Sequence, residues 1–341
     1  MSAHVDVTVI VATRNRAPLL PDCLTSLTTQ KSVVNLEIIV VDNGSDDATS
    51  QLVQQWSRRD GKVRLIEQPE VGLSRAKNAG IRDAEGELLL FTDDDVVVPD
   101  DWLAAYVAFF SMPRGSLALA GGPVLPIQQD LSPWPQWVDA TDLADLPRLY
   151  HGAEERMLRE FEWIWGANMA AQRGVFEELG GFDETLGRSG DHVGTYEDVE
   201  LSDRIRGARG EVWYCPGASV YHRIHPGAAQ PRSLVRTAFT RGGNDLLSAR
   251  RGTYFERSCP VPEGSVAAAL TLPLMVAGFM ATAAAFRLTG RRQALTLARR
   301  WAWAAGWCLW AAIGASTRRR ARATRRAVLV VRQLALRLLP P

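Results

Sequence analysis

Cysteine is scarce and scattered in this chain of 341 residues. Cys23, Cys215, Cys259 and Cys308 fit neither a disulfide framework nor a thiolate metal site, so a reducing compartment suits them as small core residues. No sign of charge dominates, since 39 basic residues stand against 38 acidic ones, and no basic field of the kind that grips nucleic acid is expected. Residues 1–6 hold neither a basic n-region nor an apolar h-region, so the part that does chemistry is expected not to be exported. No Gly-x-Gly-x-x-Gly follows the first expected strand, which disfavours a dinucleotide-binding oxidoreductase. The Gly-rich, basic loop of nucleotidyltransferases is missing from the same place. No internal repeat is visible, and acids are absent after Glu263, where arginine is abundant.

Hydrophobic periodicity supplies a frame for what is present. Residues 5–12 read as a buried strand ending at Thr13-Arg14-Asn15-Arg16, and Pro18 opens a helix carrying Leu20, Leu24 and Leu27. Residues 36–41 are a second, β-branched strand that ends at Asp42-Asn43-Gly44-Ser45-Asp46-Asp47. Asp46 or Ser45 is expected to cap the next helix, which holds Leu52, Val53 and Trp56. Residues 63–66 are a third strand, and Gly72-Leu73-Ser74 leads into a helix through Arg75, Asn78 and Ile81. Residues 88–91 are a fourth strand, followed after Pro99 by a helix with Trp102, Leu103, Tyr106, Val107 and Phe110. Strand–helix alternation repeated four times predicts an α/β fold with a mainly parallel sheet and right-handed crossovers. Prolines 123, 126, 133, 135 and 147 predict a functional loop over about 121–160. Beyond it come a helix over 173–179 stopped by Gly180-Gly181, a Gly-rich loop to 196, a helix over 197–209, strands at 211–214 and 218–221, and a helix over about 232–249.

The chemistry concentrates at Asp93-Asp94-Asp95, directly after the fourth strand. Three carboxylates at the end of a buried strand repel one another and lose hydration unless a cation or hydrogen-bond donors offset them. In open α/β sheets this end of the strands is where ligands bind. Near the C-terminus, residues 266–286 and 301–317 are uncharged runs flanked by arginines. The first is long enough to span a bilayer. If both spanned, the arginines between them would lie on the far side, against the positive-inside bias. A shallow hairpin at an anionic membrane surface, or a soluble helical pair at an oligomer interface, also fits.

Taken in order, Val9 to Arg16, Val40 to Asp47, Gly72 to Gly80, Asp93-Asp94-Asp95 and Tyr196-Glu197-Asp198 resemble the motifs of the inverting family-2 glycosyltransferases with the GT-A (Rossmann-like) fold. The match covers about residues 5–250. The resemblance implies a catalytic domain over 1–250, and the uncharged runs with their arginine flanks predict 251–341 as an Arg-rich, hydrophobic helical membrane-association region. It implies a nucleotide-sugar donor, UDP or dTDP type favoured, bound by Thr13, Asn15, Arg16, Asp42, Arg75, Asn78, Asp93 and Asp94. It also implies Mn2+ or Mg2+ on Asp93, Asp95 and His222, with Asp198 as general base and Glu197 as its helper. Trp163, Trp165 and Gly166 would meet the acceptor, a lipid-linked or growing glycan at the cytoplasmic membrane face. No Gln-x-x-Arg-Trp string of the processive synthases occurs, so addition of a single sugar is expected.

The residue types suit this chemistry without the resemblance. A nucleoside diphosphate leaves with growing negative charge that a hard cation on carboxylate oxygens offsets, and displacement at an anomeric carbon needs one base on the opposite face. Other readings of single residues stay open. Asp42 and Asp46 fit an Asx turn, Glu197 and Asp198 fit a helix N-terminus, His222 fits a strand end, and Trp163 and Trp165 fit a core. A non-catalytic subunit of a polysaccharide assembly complex, binding a sugar nucleotide or glycan, is the alternative function.

Overall fold

The computed structural model describes residues 5–31, 34–127, 149–160, 162–189, 192–193 and 196–224, with short stretches between 230 and 305. The chain divides into two compact units, 1–127 with 147–223 and 128–146 with 224–341. The first unit opens with four strand–helix pairs: β1 (Val7–Thr13), α1 (Leu20–Thr28), β2 (Leu36–Asp42), α2 (Thr49–Arg59), β3 (Val63–Glu67), α3 (Leu73–Asp83), β4 (Leu88–Asp93) and, after the two-residue β5 (Val96–Val97), α4 (Trp102–Ser111). It continues through β6 (Ala118–Gly121), β7 (Val124–Pro126), β8 (Arg156–Met157), β9 (Asn168–Gln172) and α5 (Arg173–Leu179). The hairpin β10 (Arg188–Ser189) and β11 (His192–Val193), α6 (Glu197–Gly207), β12 (Glu211–Tyr214) and β13 (Val220–His222) complete it.

The main sheet has eight strands in the order β3-β2-β1-β4-β9-β6-β12-β8. Its first four are parallel, and β9 then runs antiparallel between β4 and β6. Alternation along the buried strands sends side chains to two cores. Val9, Val11, Ile38, Val40 and Leu90 pack on one face with Leu20, Leu24, Val53, Trp102 and Tyr106. Ile10, Ile39, Val41, Leu89 and Phe91 pack on the other with Ala76, Ala79, Val175, Phe176, Leu201 and Ile205. Where the parallel strands meet the antiparallel one, buried Asn168 uses both ends of its amide. Its Oδ1 accepts from Trp102 Nε1 and Tyr106 Oη, each at 2.9 Å, and its Nδ2 donates to the carbonyls of Pro123 and Ala218. Four polar groups around the junction are thereby given a common partner.

Two expectations change. The N-cap of α2 is Ala48, not Ser45 or Asp46, and Asp47 just before it accepts the Thr49 N–H on its Oδ1 at 2.9 Å. Ser45 and Asp46 instead tie the β2 loop to the β1 loop, through Asn15 N to Ser45 Oγ and Asp46 N to Asn15 Oδ1, both 2.9 Å. The stretch from 121 to 160 is not one irregular loop, because β7 and β8 lie in it, and residues 128–148 fall outside the described ones. The predicted helix over 232–249 and the apolar runs 266–286 and 301–317 lie largely outside the described residues. Among those that are described, no helix is long and apolar enough to cross a membrane.

Candidate active site

A second, three-stranded sheet, β5-β13-β7, assembles the acidic end of β4. β13 pairs antiparallel with β5 so that His222 faces Val96, and the Arg223 N–H donates to the Asp95 carbonyl at 2.9 Å. His222 Nδ1 donates to the Arg223 carbonyl at 2.7 Å, which turns Nε2 toward the carboxylates. Nε2 lies 3.3 Å from Asp95 Oδ1 and 3.8 Å from Asp93 Oδ2. One ligand atom from each of Asp93, Asp95 and His222 lies within 4.8 Å of the others.

Charge is strained at this corner. Burial, then the adjacent Asp95, pushes Asp94 up to about 7, although Thr13 Oγ1 donates to it at 2.7 Å. Burial also lifts Asp95, while the neighbouring His222 and then Lys77 bring Asp93 below the ordinary range against its own burial. Burial works against the His222 imidazolium, but Asp93 and Asp95 overcome it and raise its pKa to about 9. Two carboxylates and one imidazole already oriented through its other nitrogen are a donor set that fits a divalent cation such as Mn2+ or Mg2+.

The other residues singled out in the sequence divide into those turned toward this end of the sheet and those engaged elsewhere. Arg16 lies 3.9 Å from Asp94, and Thr13 and Asn15 build the loop beneath it. Asp42 is buried and accepts from the Ser45 N–H at 3.0 Å and from Ser50 Oγ, so its carboxylate holds the loop after β2 closed. Arg75, expected at the diphosphate, pairs instead with Glu70 and, at 3.4 Å, with Glu184. Asn78, expected beside it, bonds the Phe182 backbone in both directions at 2.7 and 2.9 Å and so pins the segment after α5. Trp163 and Trp165 are partly buried against one core.

Asp198 sits in the first turn of α6 and keeps part of its surface open. Its Oδ2 accepts the Gly166 N–H and its Oδ1 the Val199 N–H, each at 2.9 Å. Burial and the adjacent Glu197 raise its pKa to about 6, while Lys77 and the two N–H groups pull it down. Thr92 Oγ1 donates to the Ala167 carbonyl at 2.9 Å, which fastens the Gly166 turn to the strand that bears Asp93. Glu197 is buried and salt-bridged to Lys77 at 3.0 Å. Sequence reasoning passed over Lys77, whose one signal is a charged residue on the small-residue face of α3 with Ala76, Ala79 and Gly80.

The sequence profile described as glycosyl transferase family 2 matches residues 8–180. A pre-mycofactocin glycosyltransferase of Mycobacterium tuberculosis is 27% identical over 300 residues, 85% of this chain and 57% of that protein. A glucosyl-dolichyl phosphate glucuronosyltransferase of Haloferax volcanii is 26% identical over 216 residues, 61% of this chain and 65% of that protein. The chain spans 14 to 65% of the length of the curated relatives it matches. Among solved structures, the mannosyltransferase PcManGT of Pyrobaculum calidifontis, in complex with GDP-Man and Mn2+, superposes with a TM-score of 0.52. Its identity is 22%, with 99% of this chain and 86% of that one covered. With more than half of its length matched by the profile and its sheet shared with such enzymes, the chain belongs to glycosyl transferase family 2 and has the GT-A fold.

Proposed function

We propose that this chain is an inverting glycosyltransferase that moves a sugar from a UDP- or dTDP-type donor to a lipid-linked or glycan acceptor at the cytoplasmic face of a membrane. The observation that carries the reading is Asp198. It is one partly exposed carboxylate, fixed by two backbone N–H groups and pushed up to about 6, which suits a base working near neutrality. Asp198 takes the proton of the acceptor hydroxyl as the oxygen attacks the anomeric carbon from the face opposite the nucleoside diphosphate. A single displacement of this kind inverts the configuration. Asp93, Asp95 and His222 would hold Mn2+ or Mg2+, which supplies positive charge to the departing diphosphate. The imidazole favours Mn2+, and PcManGT, solved with that ion, supports the same choice.

The acceptor class rests on two features. The Haloferax volcanii relative is named for a glucosyl-dolichyl phosphate, and the apolar runs 266–286 and 301–317 are flanked by arginines suited to anionic headgroups. Calorimetric titration of the protein with UDP, dTDP and GDP, with and without Mn2+, tests the donor side. Metal-dependent binding of UDP or dTDP, lost in Asp95→Ala, is the expected result. Preference for GDP would overturn the donor class, and binding of none would favour the non-catalytic subunit.

A further inference from the structure

Three lysines, Lys31, Lys62 and Lys77, occur among the 39 basic residues of the chain. Lys31 and Lys62 are exposed, whereas the Lys77 side chain is 3% exposed and faces a Glu197 carboxylate that is 8% exposed. Its ammonium lies 3.0 Å from Glu197 Oε1 and 5.0 Å from the centre of the Phe182 ring. Gly166 closes another side. A Cβ at position 166 would come within 2.5 Å of Lys77 Nζ, so the backbone leaves room for a compact ammonium only because that residue is glycine. The broad, planar fork of arginine is a poor match to such a notch. The same Gly166 donates its N–H to Asp198 Oδ2.

We propose that Lys77 is a positioning residue of the site: wedged between Glu197 and the Gly166 backbone, it locks the first turn of α6 to the Gly166 turn and presents Asp198 to the acceptor as a carboxylate. The inference rests on the reading of Asp198 as the base. Two carboxylates in sequence at a buried helix start repel each other, and a fixed cation on Glu197 removes the penalty without touching the substrate. Burial alone would lower the affinity of Lys77 for its proton. Glu197, Asp93 and Asp198 more than reverse this, so the ammonium stays charged through the working range. The charged groups facing Asp198 are Glu197 on its own helix and Lys77 from α3. Asp93 of β4 acts on Lys77 as well, and the Gly166 and Val199 N–H groups complete the surroundings.

The test is the acid limb of kcat/KM in the full chain, together with calorimetric binding of the nucleotide in the presence of Mn2+. Removing the cation in Lys77→Met should move the limb to higher pH by about one unit, because Asp198 then loses the charge that favours its ionised form. Removing the anion in Glu197→Gln should move it the other way, since the repulsion goes and Lys77 remains. Nucleotide binding should survive in both. A limb that stays in place, or that moves in the same direction in both variants, overturns the proposal. Loss of nucleotide binding in Lys77→Met overturns it too, by making Lys77 a donor contact or a structural pin. Should Lys77→Met fail to fold, Glu197→Gln, which keeps the volume, still has to lower the limb. Asp198→Asn separates the two readings. Turnover retained there sinks the base itself, whereas turnover lost with unmoved limbs in the other variants sinks only the role of Lys77.

Discussion

Asp93-Asp94-Asp95 and Glu197-Asp198 crowd negative charge at linked points of the fold, and the chain compensates them by opposite means. Around the first, the positive partner is His222, a group that titrates, and Asp94 is itself raised to about 7. Around the second, the partner is Lys77, an ammonium held above its ordinary pKa and sealed from solvent. On the proposed reading, a charge that can come and go suits a place that would receive a cation and a diphosphate and then release them. A permanent charge suits a base that must start every cycle in the same state. The two groups are joined by the Thr92 bond to Ala167, so they are distinct in chemistry and continuous in structure.

The sharpest way to break this division is Asp198→Asn. Turnover should fall ~100- to 10,000-fold, the usual worth of a general base, with Mn2+-dependent nucleotide binding unchanged. If binding fell as well, the two groups would be one unit. Phe91→Ala strikes beneath both, because Phe91 lies two residues before Asp93 and its ring meets those of Phe176 and Phe182 edge-on at 5.5 and 5.4 Å. The cavity should cost about 3–5 kcal/mol in a urea unfolding curve, while the folded fraction keeps the acid limb of the unaltered enzyme. In that enzyme kcat/KM should rise with pH through about 6 and fall about tenfold per unit below it, since protonated Asp198 accepts no proton. The smallest effect is expected for Asp47→Ala, which loses the bond from the Thr49 N–H at the start of α2 at about 1 kcal/mol and leaves the acid limb in place.

The four βα units were legible because strands such as Val7–Thr13 and Leu36–Asp42 are β-branched and continuous, and the helices between them carry apolar residues at helical spacing. The grouping of Asp93, Asp95 and His222 was legible only through the order of motifs; no periodicity links residues so far apart. β9 carried no strand signal. Asn-Met-Ala-Ala-Gln has no β-branched residue, and it is extended because it fills the gap between β4 and β6. The start of α2 was misread because Ser45, Asp46 and Asp47 are all competent caps, yet Asn15 on another loop engages the first two and the N-cap itself is Ala48. Arg75 read as a phosphate ligand because its partners, Glu70 and Glu184, lie on separate loops. Lys77 was missed for a related reason: its partner is 120 positions away, and a lone lysine in a helix reads as solvated surface.

His222 arrives on β13, the last strand of the unit, and meets β5 from the middle of the chain. A ribosome that has delivered all four βα units has made four of the eight strands of the main sheet and two of the three ligand positions, but no complete triad. Contacts between such distant segments close late in folding, after the local ones. On the proposed reading, uptake of a divalent ion belongs to the finished unit and can report completed synthesis: a nascent chain halted before Val220 should carry the acids and bind the ion more weakly than the full chain.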